Sequence, residues 1–303
     1  MIDTQSIATS AAHTPSPAGS ALLARAELRT EDILARSAGE NFPVAFRWLP
    51  NGRADELMAI YGFARLVDQI GDAAEGDRLV LLEAVLRDLE QSQSRGARHP
   101  IIDRYASVAA KHSFPFELAE RLVEANRRDQ QPTAIEDHDA LLDYCSCSAN
   151  PVGEMVLRLF DQENAKRVSL SNDVCSALQI IEHCQDVLED QHLGRVYLPK
   201  ADLARFDCPR ADLARAPASE PLRQVVALQV TRSRALLSSA EPLLRELNGG
   251  ALLLVAGYAA SGLATCDALD RGRWDVTSSV LRPRRRDRLR HWLGLLWRSR
   301  VGR

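Results

Sequence analysis

Residues 61–72 read Tyr61-Gly-Phe-Ala-Arg65-Leu-Val-Asp68-Gln-Ile-Gly-Asp72. Positions three, four and seven apart share one face of a helix, so this spacing predicts a helix with a polar stripe. That stripe consists of Tyr61, Arg65, Asp68 and Asp72. The opposite side consists of Phe63, Leu66, Val67 and Ile70. We therefore expect an amphipathic helix that packs one face into a core and presents two acids on the other.

A second stretch repeats the spacing of the two acids. Residues 179–190 read Gln179-Ile-Ile-Glu182-His-Cys-Gln-Asp186-Val-Leu-Glu-Asp190. On a helix predicted over residues 165–190, the polar stripe consists of Gln179, Glu182, Asp186 and Asp190. The chain thus contains two D-x-x-x-D motifs about 120 residues apart, in stretches of the same periodicity.

Two interpretations of these acids compete. The simpler one is that each stripe is the solvated face of an amphipathic helix. The other begins from the ~0.2–0.5 kcal/mol by which like charges four positions apart destabilise a helix. Mg²⁺ would neutralise them, since it prefers carboxylates, water and substrate phosphates as ligands. Two facing pairs, with Arg65 nearby, could then hold a diphosphate and stabilise it as a leaving group.

Helical periodicity continues through most of the chain, and strand signals are scarce. Further helices are predicted over residues 22–37, 54–72, 77–94, 101–111, 115–127, 138–148, 152–159, 200–205, 221–247, 251–269 and 284–299. No long linker or internal repeat divides them, so we expect one helical domain over residues 22–303. Residues 1–21 are rich in Ser, Thr, Ala and Pro and predict a disordered leader.

Composition excludes several classes of protein. The net charge of −3 gives no basis for a nucleic-acid partner of the whole chain. The six cysteines are scattered without a C-x-x-C pair, which is typical of reduced thiols in a cytosolic protein. No glycine-rich nucleotide motif is present. The uncharged run Ala251 to Cys266 is shorter than the ~20 residues that span a bilayer, so it predicts a buried core helix that could also form a pocket wall.

Four segments together resemble a known family. They are Glu40-Asn-Phe-Pro-Val-Ala45, the Tyr61–Asp72 stretch, Ser148-Ala-Asn-Pro-Val-Gly153, and Asp186-Val-Leu-Glu-Asp-Gln-His-Leu-Gly-Arg-Val-Tyr-Leu-Pro199. In order and spacing they are similar to the squalene/phytoene synthase family, from about Ala35 to Arg282. The first and third resemble its bacterial hopanoid-pathway branch of squalene or hydroxysqualene synthases. The resemblance implies an all-α isoprenoid (terpenoid) synthase fold around a central cavity, with Mg²⁺ as cofactor.

The resemblance also implies residue roles. The catalytic metal ligands would be Asp68, Asp72, Asp186 and Asp190. The diphosphate would lie near Arg65, Gln179 and Arg195. The pocket would be lined or capped by Phe42, Tyr61 and Tyr197. Glu182 joins the predicted substrate-binding set, although many relatives have Asn there. The other departures from the family pattern are Gln69, Gln185 and Ser146, and they concern the choice of substrate and product more than ionisation.

Two reactions stay open at this point. One converts presqualene diphosphate to hydroxysqualene or squalene with release of pyrophosphate, and the hopanoid-type segments favour it. The other joins two farnesyl diphosphates head to head into presqualene diphosphate. A non-catalytic helical assembly or scaffold protein that kept the fold is the alternative of another class, and the two intact aspartate pairs argue against it. The resemblance further suggests coupling to other squalene-pathway enzymes.

The C-terminal segment, about residues 284–303, is dense in Arg and contains Trp292 and Trp297 among leucines. Such a composition favours peripheral contact with an anionic membrane. A final helix docked on the core, with a solvated basic end, is one alternative, and RNA binding is another. We therefore predict a cytoplasmic protein that contacts the inner face of the cell membrane.

Overall fold

The computed structural model describes Leu49, residues 52–131 and residues 134–301, and it is all-α, without a strand among those residues. The helices are α1 (Arg53–Ala73), α2 (Arg78–Arg95), α3 (Pro100–Lys111), α4 (Phe116–Gln130), α5 (His138–Ser148), α6 (Asn150–Leu159), α7 (Ala165–Gln185), α8 (Val187–His192), α9 (Lys200–Arg205), α10 (Glu220–Leu237), α11 (Ala240–Glu246), α12 (Gly249–Arg271) and α13 (Arg285–Val301). A 3₁₀-helix, Arg210–Ala214, follows α9.

Local chemistry explains where many of these helices begin. Asp77, Asp137, Asn164 and Ser219 each accept a hydrogen bond from the first turn of the helix that follows. Prolines occupy the first turns of α3, α6 and α10, where a missing N–H costs nothing. The predicted helix over residues 22–37, the disordered leader and Phe42 lie outside the described residues.

Two predicted helices are each divided in two. The prediction of one helix over residues 165–190 was wrong, because Asp186 adopts φ −102° and ψ 12° between α7 and α8. The division places Glu189 and Asp190 in the first turn of α8. Negative charge is favoured there by the helix dipole, whereas it would be disfavoured at the end of one long helix.

The helix predicted over residues 221–247 is also divided, at Ser238 and Ser239. The Ser238 hydroxyl donates to the carbonyl of Ala235 at 2.6 Å, and the Ser239 hydroxyl donates to Asp173 on α7 at 2.6 Å. Short hydroxyl side chains compete with the backbone in this way, which weakens a continuous helix.

Two helices organise the domain. Helix α7 packs against α5, α6, α10, α11 and α12, whereas α1 packs against α2, α3, α4 and α6. Helix α6 therefore lies between the two aspartate-bearing elements and contacts both. On α1 the residues predicted to face inward, Phe63, Leu66, Val67 and Ile70, have no exposed surface.

Within the described part of the chain, α12 is the one helix whose length and apolar composition would suit a membrane span. In the most apolar window of α12, 72% is buried inside the protein. This burial agrees with the prediction of a core helix.

Candidate active site

A cavity of about 200 Å³ lies between α1, α6, α7 and α12. Its polar end is formed by predicted site residues from two helices: Tyr61, Arg65, Asp68, Gln179 and Glu182. Its wall is largely apolar and includes Leu57, Ile60, Val152, Val156, Val174, Leu178 and Val255. The structure thus brings five of the predicted residues together at one end of an apolar cavity.

Asp68 is the acid of the first motif that lines this cavity. Its carboxylate lies 3.6 Å from Arg65 and accepts a hydrogen bond from Asn126 at 3.3 Å. Burial raises the pKa of Asp68 to about 6; Arg65 and Asn126 oppose the shift, while Asp72 and Asp129 reinforce it. Because 44% of the side chain is exposed, solvent in the cavity offsets part of the effect of burial. The pKa of Asp68 is raised because burial and the nearby charges of Asp72 and Asp129 outweigh the effect of Arg65.

Asp72 lies at the end of α1 and pairs with Arg195, at 2.5 Å. The second Arg195 nitrogen donates to the Gly71 carbonyl at 3.1 Å, where Arg78 and Gln130 also donate. The last carbonyls of a helix lack partners within it, so basic groups are favoured there. Burial would lower the pKa of Arg195, but its bond to Asp72, with Tyr197 and Asp129 close by, raises it. Arg195 therefore stays charged and ties α1 to the segment after α8.

The second motif differs from the prediction, because Asp186 lies at the break between α7 and α8 and Asp190 lies beyond it on α8. Asp186 is half-buried at the break, and Asp190 lies on α8 with 16% of its side chain exposed. The carboxylate of Asp190 lies 3.8 Å from Nδ1 of His183, and its carbonyl accepts from the Arg195 N–H at 2.9 Å. Arg195 thus connects Asp72 of the first motif to Asp190 of the second.

A buried cluster of polar aromatic residues adjoins both motifs. The His183 ring stacks on Tyr197 at 3.8 Å between centroids, and Tyr144 lies 5.0 Å from Tyr197. The Tyr144 hydroxyl donates to Asp129 at 2.8 Å. Burial raises the pKa of Asp129, although Arg195 and both tyrosines oppose the shift. These ring contacts and hydrogen bonds fill the space between the two motifs.

Arg195 and Tyr197 border a second cavity of about 170 Å³ rather than the first. It also contains Asp129 and Tyr144. The expectation that Tyr197 lines or caps the main pocket therefore needs correction. Tyr197 is buried against His183, so its part in the main site would be to support other residues.

The squalene/phytoene synthase family model matches residues 35–292. This chain belongs to that family of enzymes. Its sequence is 33% identical to a hydroxysqualene synthase from Rhodopseudomonas palustris, over 69% of this chain and 71% of the relative. A presqualene diphosphate synthase from the same organism is 28% identical, over 69% of this chain and 75% of the relative.

A solved structure supports the same assignment. The crystal structure of a squalene synthase from Alicyclobacillus acidocaldarius superposes with a TM-score of 0.73 at 34% identity. The superposition covers 82% of this chain and 96% of that one. The predicted all-α isoprenoid synthase fold is confirmed.

Carboxylates are the side chains of this site that could hold Mg²⁺. No group of three or more His, Cys, Asp or Glu side chains in the described residues could hold a metal ion unaided. Mg²⁺ is usually bound through one or two carboxylates, with water and substrate phosphates completing its shell. The acids around Asp68, whose carboxyl has a pKa raised mainly by burial, are oxygen donors of the kind that Mg²⁺ binds.

Sequence reasoning missed several residues here. Asn126, Asp129 and Tyr144 belong to no recognised motif, and only the fold brings them to the aspartates. His183 is another: it is buried, and it contacts Gln179 at 3.3 Å and lies 3.8 Å from Asp190. Two departures point away from the main cavity, since Gln185 donates to the Leu281 carbonyl and Ser146 to that of Asp143.

Proposed function

We propose that this enzyme ionises an isoprenoid diphosphate in squalene and hopanoid biosynthesis. The reaction would convert presqualene diphosphate to hydroxysqualene or squalene and release pyrophosphate. The observation that carries the proposal is the cavity itself, whose apolar wall ends at Arg65, Asp68, Gln179 and Glu182. A hydrocarbon tail suits the wall, and a diphosphate suits the polar end once its charge is balanced.

The residues at the polar end, the other three motif aspartates and Arg195 each have a task in this proposal. Asp68, Asp72, Asp186 and Asp190 would hold Mg²⁺, which when bound supplies positive charge to the leaving diphosphate. Arg65 would donate to the phosphate oxygens, and the Gln179 amide would orient them. Arg195 would fix the position of Asp72 relative to the backbone of Asp190 through the contacts described above. Tyr61 and the apolar wall would exclude water from the reacting carbon.

The alternative reaction within the family is the head-to-head condensation of two farnesyl diphosphates. The hydroxysqualene synthase from Rhodopseudomonas palustris is more similar to this chain than the presqualene diphosphate synthase of that organism, at 33% against 28% identity. This difference favours conversion of presqualene diphosphate. A non-catalytic scaffold is disfavoured, because both aspartate pairs are intact.

We also infer a cytoplasmic enzyme that receives its substrate from, and passes its product to, other enzymes of squalene metabolism. A product assay tests the reaction. The purified chain would be incubated with Mg²⁺ and either presqualene diphosphate or farnesyl diphosphate, and products would be identified by mass spectrometry. We expect hydroxysqualene or squalene from presqualene diphosphate. Accumulation of presqualene diphosphate from farnesyl diphosphate would favour the alternative, and no product from either would refute both.

A binding measurement tests the metal separately from turnover. A ligand that binds only the native state raises the melting temperature by mass action. We expect Mg²⁺ and pyrophosphate together to raise it more than the sum of their separate effects. The same shift with Mg²⁺ alone would indicate a simple cation site that has no part in phosphate binding.

A further inference from the structure

An apolar stripe runs along the outer face of α13. It consists of Leu289, Leu293, Trp297 and Val301, which are 54–67% exposed. These residues are four positions apart, so they lie side by side on one face of the helix. Single exposed apolar residues are ordinary on protein surfaces, but a contiguous row on one helix is typical of a contact surface. We call these four residues the outer stripe.

The opposite face of α13 is fixed to the core, so the outer stripe cannot turn inward. Leu295 is only 3% exposed, and the Trp292 indole donates to the Leu253 carbonyl on α12 at 3.1 Å. Asp287 is buried and pairs with Arg271 at 2.8 Å. Core docking, one interpretation of the C-terminal segment, therefore applies to the inner face of α13, and membrane contact, the other, can apply only to its outer face. Trp292 and Leu296 dock the helix, whereas Leu293 and Trp297 point outward.

Positive charge surrounds the outer stripe. Arg286 is 75% exposed, and Arg285 and Arg300 are also exposed. Arg290 is exposed as well, but it pairs with Asp267 at 2.8 Å. Asp287, the one acid of this helix, is turned inward and paired. Apolar side chains bordered by arginines match the boundary of an anionic bilayer, where Trp is favoured and headgroup phosphates accept from Arg.

We propose that the outer stripe and its arginines dock this enzyme onto the surface of an anionic lipid bilayer. A second copy of the chain fits less well, because two-fold pairing of α13 would bring arginines against arginines. RNA would use the arginines but leave the apolar row exposed to water. The surface is separated from the main cavity only by α12, which contributes Val255 and Tyr258 to the cavity wall.

Vesicle sedimentation of the full chain tests the docking surface. The probes are vesicles of phosphatidylcholine alone and of an equimolar mixture with phosphatidylglycerol. We expect binding to the anionic vesicles that falls as salt shortens the Debye length below about 10 Å. The L289S/L293S/W297S variant should bind at least about tenfold more weakly. R286Q/R300Q should lose about fivefold per charge, and only on the anionic vesicles.

The matched control is L79S/V80S, which replaces two exposed apolar residues at the start of α2 and should bind as the unmodified chain does. Circular dichroism and melting temperature establish that each variant is folded. Equal binding by the outer-stripe variant and the control would overturn the proposal. So would a dimer of the unmodified chain that the outer-stripe variant converts to monomer, or binding to RNA but not to vesicles. Because the readout is partition onto lipid, the test stands whether or not the proposed reaction is correct.

Discussion

The two aspartate motifs have the same spacing in sequence but different settings in structure. Asp68 and Asp72 lie on one uninterrupted helix, whereas Asp186 and Asp190 are separated by a break. Asp72 is 45% exposed and is held by Arg195, while Asp190 is largely buried beside His183. Identical spacing therefore does not produce identical geometry, because helix dipoles and distant partners decide where each carboxylate points.

The largest expected effect comes from removing one acid of each motif. Asp68→Ala and Asp186→Ala should each lower kcat by roughly a hundredfold to a thousandfold or more, since each removes a proposed metal ligand. Turnover of presqualene diphosphate at saturating Mg²⁺ measures this. Glu120→Ala, an exposed acid on α4, is the control and should retain full activity. Near-normal turnover in either aspartate variant would remove that motif from the mechanism.

A smaller effect is expected from Arg195, the link between the motifs. Arg195→Met should lower the free energy of unfolding by about 1 kcal/mol, a value reduced from that of a fully buried pair because Asp72 is partly solvated. Arg195→Lys keeps the charge but cannot donate to both Asp72 and Gly71. Its free energy of unfolding should lie between those of Arg195→Met and the unmodified chain. Urea denaturation measures the difference. Equal stability of all three proteins would show that the motifs are held in register by other contacts.

His183 offers a way to disturb the second motif alone. His183→Phe preserves a ring to stack on Tyr197 but removes the nitrogens that face Gln179 and Asp190. We expect the Mg²⁺ concentration for half-maximal activity to rise by roughly tenfold, with little change in kcat at saturating Mg²⁺. His183→Asn, which restores a polar group without the ring, separates the two contributions. A loss of kcat without a change in Mg²⁺ dependence would assign His183 a purely structural part.

Sequence reasoning succeeded where contacts are local and failed where they are distant. The periodicity of residues 61–72 correctly predicted both faces of α1, whose inward residues Phe63, Leu66 and Val67 are fully buried. The break at Asp186 was missed, because apolar periodicity continues through Val187 while the penalty for acids at a helix end leaves no mark on that pattern. Asp129, Tyr144 and Tyr197 meet only through the packing of separate segments, which no spacing reveals.

The C-terminal helix illustrates the same limit in another form. Composition identified arginines and, among leucines, Trp292 and Trp297, but it did not separate these residues by the face of the helix on which they lie. The structure assigns Trp292 and Leu296 to the core contact and leaves Leu293 and Trp297 outside. Which turn of a helix faces the protein depends on the shape of its neighbour, here α12, and not on the sequence of the helix alone.

The smallest expected effect concerns the apo-protein and the pKa of Asp68. A carboxyl whose pKa is about 6 in the folded state and near 3.8 in the unfolded state binds more protons when folded. Its contribution to stability is therefore fully present below pH ~4 and is lost as the pH rises through about 6.

Asp68→Asn removes this dependence and keeps an oxygen that can accept from Asn126. In a chelator, the variant should be more stable than the unmodified chain at pH 7, by less than about 1 kcal/mol because the carboxylate is partly solvated. The gain should vanish near pH 4, and urea denaturation at several pH values measures it. Asp190→Asn provides the comparison between motifs, since Asp190 lies beside His183 rather than beside Arg65. A gain at Asp68 that persists at low pH would trace the effect to packing, and an equal gain in both variants would show that the two motifs share one electrostatic environment.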